Sequence, residues 1–343
     1  MKAAVLTDHC TLSVEERERP TPSDDEVLVQ VKACGVCMTD YHMYHGTFPV
    51  SYPLIPGHES AGEIVAVGDA VSDVTVGDRV AINPSIPCNQ CGQCINGKEN
   101  LCENFTSIGG AADRIIDGAF AEYVSVPAGY IEPIGELAFE KAAFAEPLAC
   151  CLHAIDQVGL NSGDTVVIIG AGPIGLLLVQ SFRTNGAGTI IVSEPVDERR
   201  YLARDVGADF VVDPGETDLT ETIDVLVERV DIAVEAVGLP ETIETAQSLP
   251  SAGGTTLIFG VPPQDTTVEI NPFDIYYDEL ELVGTFSLTP NSFVRAVTLL
   301  QRERIDPAAL ITDEYALEGL QDAFDQMEDK AGLKKVIYPS DSD

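Results

Sequence analysis

Two sets of metal-binding side chains lie in the first 150 residues, and their chemistry differs. Cys88, Cys91, Cys94 and Cys102 form a C-x2-C-x2-C-x7-C run. Four thiolates complete a tetrahedral zinc and leave no position for a reactant, so this set reads as structural. The second set is scattered and mixed: Cys37, His58 with Glu59, and Glu146. Three mixed donors leave one coordination position open, which is how a catalytic zinc is usually held. A closed site beside an open one points to a zinc enzyme. Three thiols at two-residue spacing also suit an iron–sulfur cluster, but the C-x3-C-P continuation is absent. Unligated core cysteines would seldom fall in so polar a loop.

A third constellation is Gly170-Ala171-Gly172-Pro173-Ile174-Gly175, directly after the apolar run Val166-Val167-Ile168-Ile169. G-x-G-x-x-G is a weak signal alone; between a strand and a helix it becomes a dinucleotide fingerprint. The first glycine permits the turn, the second admits a pyrophosphate, and the third lets helix and strand pack. The phosphates then meet free N–H groups at the helix start. The following strand ends at Ser193-Glu194, where a carboxylate accepts hydrogen bonds from ribose hydroxyls and repels a 2′-phosphate. NAD is therefore expected over NADP, with Arg199 and Arg200 as the counter-indication.

The elements that must position these groups fall into two kinds. Residues 1 to about 147 are dense in short β-type runs such as Val27–Val31, Gly62–Val67 and Arg79–Ile82, which suits an irregular, barrel-like β domain. The Cys88–Cys102 loop has almost no apolar periodicity and needs a metal to hold its shape. From 148 to 287, apolar strands (Thr189–Val192, Phe210–Val212, Ile232–Val234, Thr256–Phe259) alternate with helical segments. That pattern predicts an α/β domain with a parallel sheet covered on both faces. Residues 288–343 bring amphipathic helices at Phe293–Leu300 and Leu317–Met327 and a last strand at Val336–Tyr338.

With 343 residues the chain suits two domains, and 45% hydrophobic content is ample for packed cores. Acidic residues number 56 against 19 basic, a net charge of −37. Such a surface cannot neutralise phosphates, which excludes nucleic acid, and an anionic membrane repels it. A mean hydropathy of +0.10 argues against disorder. Carboxylates spread along the whole chain, with few lysine stems, are expected of a protein from a salt-rich cytoplasm. Nine cysteines behind an N-terminus unlike a signal peptide favour thiols and metal over disulfides.

The run Gly57-His58-Glu59-Ser60-Ala61-Gly62, with Gly68 and Val71, matches the G-H-E-x2-G-x5-G-x2-V signature of zinc-containing alcohol dehydrogenases. Cys34-Gly35-Val36-Cys37-Met38-Thr39-Asp40, the four-cysteine lobe and the glycine fingerprint follow in that family's order. Over essentially its whole length the chain resembles the zinc-dependent medium-chain dehydrogenases. Ala145-Glu146-Pro147-Leu148 resembles their sorbitol-type branch, where a glutamate replaces the third cysteine ligand.

The resemblance implies a GroES-like catalytic domain (1–147 with 288–343) and a Rossmann domain (148–287). It implies reversible oxidation of an alcohol or polyol with hydride transfer to NAD(P), two zinc ions per subunit, and a homodimer or homotetramer. Cys37 and His58 would ligate the catalytic zinc, with Glu146 as third ligand and Cys150, one helical turn on, as its rival. Glu59 would bind the zinc at some stage or tune it from outside. Core packing is the first expectation for Cys150, and also for Cys151 and Cys10. Thr39 would take the substrate proton and pass it by way of the nicotinamide ribose to His42 and water, while Asp40 orders the ligands. Lys334 or Lys335, Gly260, Val261, Phe286 and the fingerprint residues would contact the cofactor.

Two departures concern the substrate. Sorbitol-type enzymes carry an arginine where Ser287 stands and a tyrosine where Met43 stands, so the pocket loses two polar contacts. Met43, Tyr44, Phe48, Tyr123 and Phe286 are candidate pocket lining or core. The competing functions are a sugar 1-dehydrogenase, a quinone-reductase type that would lack these ligands, and a non-catalytic NAD-binding scaffold.

Overall fold

The computed structural model describes residues 1–112 and 114–340. The chain divides into two compact units, Met1–Ala149 with Leu288–Asp343, and Cys150–Ser287.

The first unit is built on a seven-stranded sheet. Its main path runs Ile131–Pro133, Arg79–Ile82, Glu59–Val67, Glu26–Gly35, Lys334–Tyr338, Ile311–Ala316, and Tyr123–Pro127 also pairs with Glu26–Gly35. The ten-residue strand Glu26–Gly35 is therefore the spine. It alternates with its neighbours through Val27, Val29, Val31 and Ile64, all fully buried, together with Phe120 and Phe324. One register matters for the site: Gly35 lies opposite Glu59, and Val336 opposite Gly35. This places Glu59 and the start of the Lys334 strand on either side of one glycine. A smaller three-stranded sheet, Ser85–Ile86, Thr106–Ile108 and Arg114–Ile116, frames the cysteine loop.

The second unit is a six-stranded, fully parallel sheet in the order Phe210–Val212, Thr189–Ser193, Thr165–Ile169, Ile232–Glu235, Thr255–Ile258, Glu281–Gly284. The chain winds outward from Thr165–Ile169 to one edge and then returns to build the other half. The reversal falls between Thr165–Ile169 and Ile232–Glu235, the switch point at which such sheets bind ligands. Covered on both faces, the strands are continuous apolar runs: Val166 to Ile168 and Ile190 to Val192 are fully buried. Pro173, Pro240 and Pro290 each open a helix, where the missing N–H costs nothing.

The sequence pattern does not reveal the strands Ile311–Ala316 and Glu281–Gly284. Both lie at sheet edges. Their acidic, half-exposed positions interrupt the apolar run that marks an interior strand.

Phe120 is fully buried against Gly57, and its N–H bonds Pro56 O at 2.9 Å, so it braces the turn that delivers His58. Phe120→Ala is expected to lower the unfolding free energy by about 3–5 kcal/mol in denaturant melts. Tyr201→Ala, at a 66% exposed residue, should change it by less than about 0.5 kcal/mol.

Candidate active site

Cys37 sits at the N-terminal cap of the short helix Met38–Tyr44, and His58 precedes the strand Glu59–Val67. One buried side chain joins these segments. Asp40, fully excluded from solvent, accepts the Cys37 N–H on Oδ2 (2.9 Å) and the Gly57 N–H on Oδ1 (3.1 Å). His58 Nδ1 lies 3.3 Å from the same Oδ1. A carboxylate behind a histidine fixes the ring and leaves the other nitrogen to face a metal. Gly57 turns the chain at φ +99°, a conformation open to glycine, and a Cβ there would strike the Phe120 ring.

The ligand atoms of Cys37, His58 and Glu59 all lie within 4.8 Å of one another. Burial alone would push His58 down, yet Asp40 and Cys37 outweigh it and hold the imidazole well above its usual range. The cluster thus favours positive charge, and a divalent cation meets that demand better than a proton. The donor set of thiolate, imidazole and carboxylate suits zinc.

Glu59 has a partner that the sequence pattern does not disclose. Lys334 Nζ contacts its Oε2 directly, and both side chains are buried. Burial works against charge on Lys334, but Glu59 and then Cys37 keep its pKa raised. Gly35 makes the room: a Cβ there would lie 2.8 Å from Lys334 Cε and closer still to Glu59 Oε2. The signal was present as a glycine within Cys34–Cys37, but it acquires meaning only through the strand register. The structure thus directs Lys334 to Glu59. Lys335 is buried beside it and donates to Ala331 O.

Glu146 stands half-buried in the first turn of Ala145–Gln157, and its charge also acts on Lys334. It lies outside the 4.8 Å group formed by the other three residues. Cys150 is half-buried and Cys151 fully buried on the same helix. Cys10 corrects the expectation of core packing: it is exposed in the turn of the Lys2–Glu16 hairpin at φ +51°. Thr39 Oγ1 is 3.7 Å from Cys37 Sγ. His42 lies one turn further along the helix, with Nδ1 2.9 Å from Thr47 Oγ1. Burial, then His45, lowers the His42 pKa. Met43 is fully buried against Leu6 and Leu54 and belongs to the core. Tyr44 and Phe48 pack on the same cluster, and Arg19 lies over the Tyr123 ring.

The sulfurs of Cys88, Cys91, Cys94 and Cys102 also lie within 4.8 Å of one another. Cys91 Sγ is 3.5 Å from Cys94 Sγ and 4.0 Å from Cys102 Sγ. Four bonds of about 2.3 Å to one tetrahedral zinc place sulfurs about 3.8 Å apart. Without a cation the thiols cannot all ionise. Cys88 is drawn down to about 6, chiefly by the Gln90 N–H, while burial pushes Cys94 up to about 12. The residues fit a structural zinc.

In the second unit, Gly170 turns at φ +101°, and a Cβ on Gly175 would lie 2.0 Å from Gly170 O. Nothing lies within 4 Å of the Cβ position on Gly172, so the backbone there is open to a phosphate. Pro173 and Ile174 begin the helix Pro173–Thr184. Glu194 is buried, and its two oxygens accept the N–H groups of Ala171 (2.8 Å) and Val196 (3.0 Å). Arg200 is engaged by Asp197, Asp213 and Glu194 O, and Arg199 is half-buried. Gly260 and Val261 follow the strand Thr255–Ile258, with Val261 84% exposed. Phe286 is exposed, and Ser287 adopts φ +58°.

Residues 23–136 match the alcohol dehydrogenase GroES-like domain, and residues 173–302 match the zinc-binding dehydrogenase domain. Sorbitol dehydrogenase of Bacillus subtilis is 35% identical over 350 residues, covering 99% of this chain and 98% of that one. The chain belongs to the zinc-dependent medium-chain dehydrogenase family. D-arabinitol dehydrogenase 1 of Uromyces fabae is 34% identical across 96% of this chain and 94% of its own. Among solved structures, a Sinorhizobium meliloti 1021 protein described as a zinc-binding dehydrogenase and bound to NADP superposes with a TM-score of 0.94. Its identity is 40%, over 98% of this chain and 99% of its own. The fold expected from the sequence, a GroES-like domain with a Rossmann domain, is that of this family.

The role of Asp40 is open to test. Asp40→Asn keeps the shape but replaces one accepting oxygen with a donor facing an N–H or His58. Affinity for the second, non-cysteine-site zinc should fall 10–100-fold in chelator competition, with the four-cysteine site unaffected.

Proposed function

We propose that this dehydrogenase oxidises a polyol, or a less polar secondary alcohol, to the carbonyl compound, preferring NAD. The observation that carries this reading is the convergence of Cys37, His58 and Glu59 on one point with the Thr39 hydroxyl alongside. Cys37 and His58 hold zinc. Lys334 offsets the charge of Glu59, and Glu146, in the first turn of Ala145–Gln157, is the third ligand in this reading, with Cys150 on the same helix as its rival. Bound zinc supplies the charge that acidifies an alcohol, and bound nicotinamide accepts the hydride.

Thr39 receives the hydroxyl proton. His42, whose pKa is lowered by burial and then by His45, carries a proton onward to solvent, with Thr47 orienting its ring. The same relay argues against a non-catalytic scaffold, which has no use for it. The relatives named for sorbitol and D-arabinitol support a polyol. Met43 in the core and Ser287 in place of an arginine leave fewer polar contacts for a hydroxyl chain, which favours a less hydroxylated substrate. The NAD preference rests on the Glu194 carboxylate and on Arg200, which Asp197 and Asp213 already occupy.

No helix among the described residues is long and apolar enough to cross a membrane. The acidic surface, with exposed Asp24, Asp25, Asp69, Asp73, Glu216 and Glu228 among its residues, supports a working environment rich in salt, where screening limits self-repulsion. Activity and melting temperature are both expected to rise from low toward molar salt, and a flat or falling response would overturn that reading.

Cys37→Ala and Glu146→Gln should each retain one zinc per chain instead of two, lose alcohol-dependent NADH formation, and still bind NADH in a fluorescence titration. Near-normal turnover by Cys37→Ala would refute the mechanism. Glu59→Gln losing the ion while Glu146→Gln keeps it would move the third ligand to Glu59.

A further inference from the structure

The second unit contains a buried carboxylate with no part in the proposed chemistry. Glu235 is the last residue of Ile232–Glu235, beside the switch point, and is fully buried. Its Oε1 accepts three hydrogen bonds, from the N–H groups of Val237 (2.8 Å) and Gly238 (2.7 Å) and the Thr242 hydroxyl (2.8 Å). Its Oε2 has no hydrogen-bond partner among the described residues. Its own carbonyl accepts the N–H groups of Phe259 (2.9 Å) and Gly260 (3.0 Å).

Around this residue, three strand ends meet with no space to spare. A Cβ on Gly260 would lie 2.6 Å from Glu235 Oε2 and 2.3 Å from Gly238 N. One on Gly238, at φ +89°, would lie 2.7 Å from Val261 O. One on Gly170 would lie 2.8 Å from Val237 Cγ2 and 3.3 Å from Ala236 O. The turn that Glu235 ties down is thus packed against both the fingerprint turn and the Gly260–Val261 segment. Val237 and Val261 leave apolar side chains 44% and 84% exposed at this carboxyl end of the sheet. An isolated buried carboxylate is costly, and one oxygen with three donors is a strong, single-purpose anchor.

We propose that Glu235 is a positioning residue for the dinucleotide. Its carboxylate fixes the Val237–Gly238 turn between Gly170 and Gly260, and so sets the affinity of the surface on which the cofactor lies. This deepens the dehydrogenase reading and rests on its cofactor assignment. The anchor works without touching the zinc ligands, which belong to the other unit.

Glu235→Gln is the direct variant. One oxygen can still accept, but an amide NH2 replaces the unpartnered Oε2 against Gly260. Thr242→Val removes one of the three donors and is the milder second variant. NADH is titrated by fluorescence on the zinc-loaded full chain, with melting temperature and zinc content measured in parallel. The expected result is a Kd for NADH at least tenfold weaker in Glu235→Gln and several-fold weaker in Thr242→Val, with two zinc ions retained. KM for NAD should rise by a larger factor than kcat falls. The proposal is overturned if folded Glu235→Gln, or folded Thr242→Val where the first does not fold, binds NADH within twofold of the parent chain. It is equally overturned if melting temperature drops while Kd is unchanged. Failure of the underlying reading is a different result: the parent chain itself would bind no NADH.

Discussion

The open metal site depends on one carboxylate that would not bind the metal. Asp40 is fully buried, and its two oxygens receive the Cys37 N–H and the Gly57 N–H, with His58 Nδ1 alongside. Cys37 and His58 come from segments 21 residues apart in the chain, one capping a helix and one entering a strand. The strand pairing of Gly35 with Glu59 brings the two segments side by side, and Asp40 ties the ligand-bearing ends themselves together. Two charge-assisted backbone hydrogen bonds, each worth about 1.5–3 kcal/mol, bind both segments to one rigid group. Burial strengthens them and strengthens the negative potential that calls for a cation.

The Glu59–Lys334 pair answers to the same constraint. Burying two charges costs several kcal/mol per ion, and apolar replacement of such a pair is often neutral or stabilising. Stability therefore does not explain it. Without Lys334, three anionic groups, Cys37, Asp40 and Glu59, would share one buried neighbourhood. The lysine offsets Glu59, so that the excess negative charge left for the metal resides on Cys37 and on the Asp40–His58 pair. The chain has 19 basic residues against 56 acidic ones, and it buries two of them, Lys334 and Lys335, side by side here. The second unit follows the same economy: Glu194, Glu235 and Asp231 spend their carboxylates on backbone N–H groups at strand ends and turns.

Local spacing was legible wherever the chemistry is local. The four cysteines, the Gly170–Gly175 turn and the neighbours Cys37 and Thr39 all act within short segments, and their residue types state the geometry. The parallel strands could be read because burial on both faces makes them continuous apolar runs. Pairings made by tertiary register could not be read. Lys334 meets Glu59 across 275 residues only because both strands flank Gly35. Glu235 looks like any acidic residue ending a strand until its three donors are seen. Cys10 shows the opposite failure, since apolar character suggested the core while a turn at φ +51° put it at the surface. The edge strand Ile311–Ala316 was obscured by acidic residues on its open face, a cost of reading patterns in so acidic a chain.

In the proposed function a zinc held at Cys37 and His58, and not the four-cysteine zinc, carries alcohol oxidation. The most direct measurement is NAD-dependent NADH formation over a panel of polyols, simple alcohols and aldoses in molar salt, followed while a chelator removes zinc stepwise. Activity is expected to vanish as the zinc at Cys37 and His58 leaves, while the fold persists, and to return when zinc is restored. Undiminished turnover in a chain stripped of that zinc would contradict it.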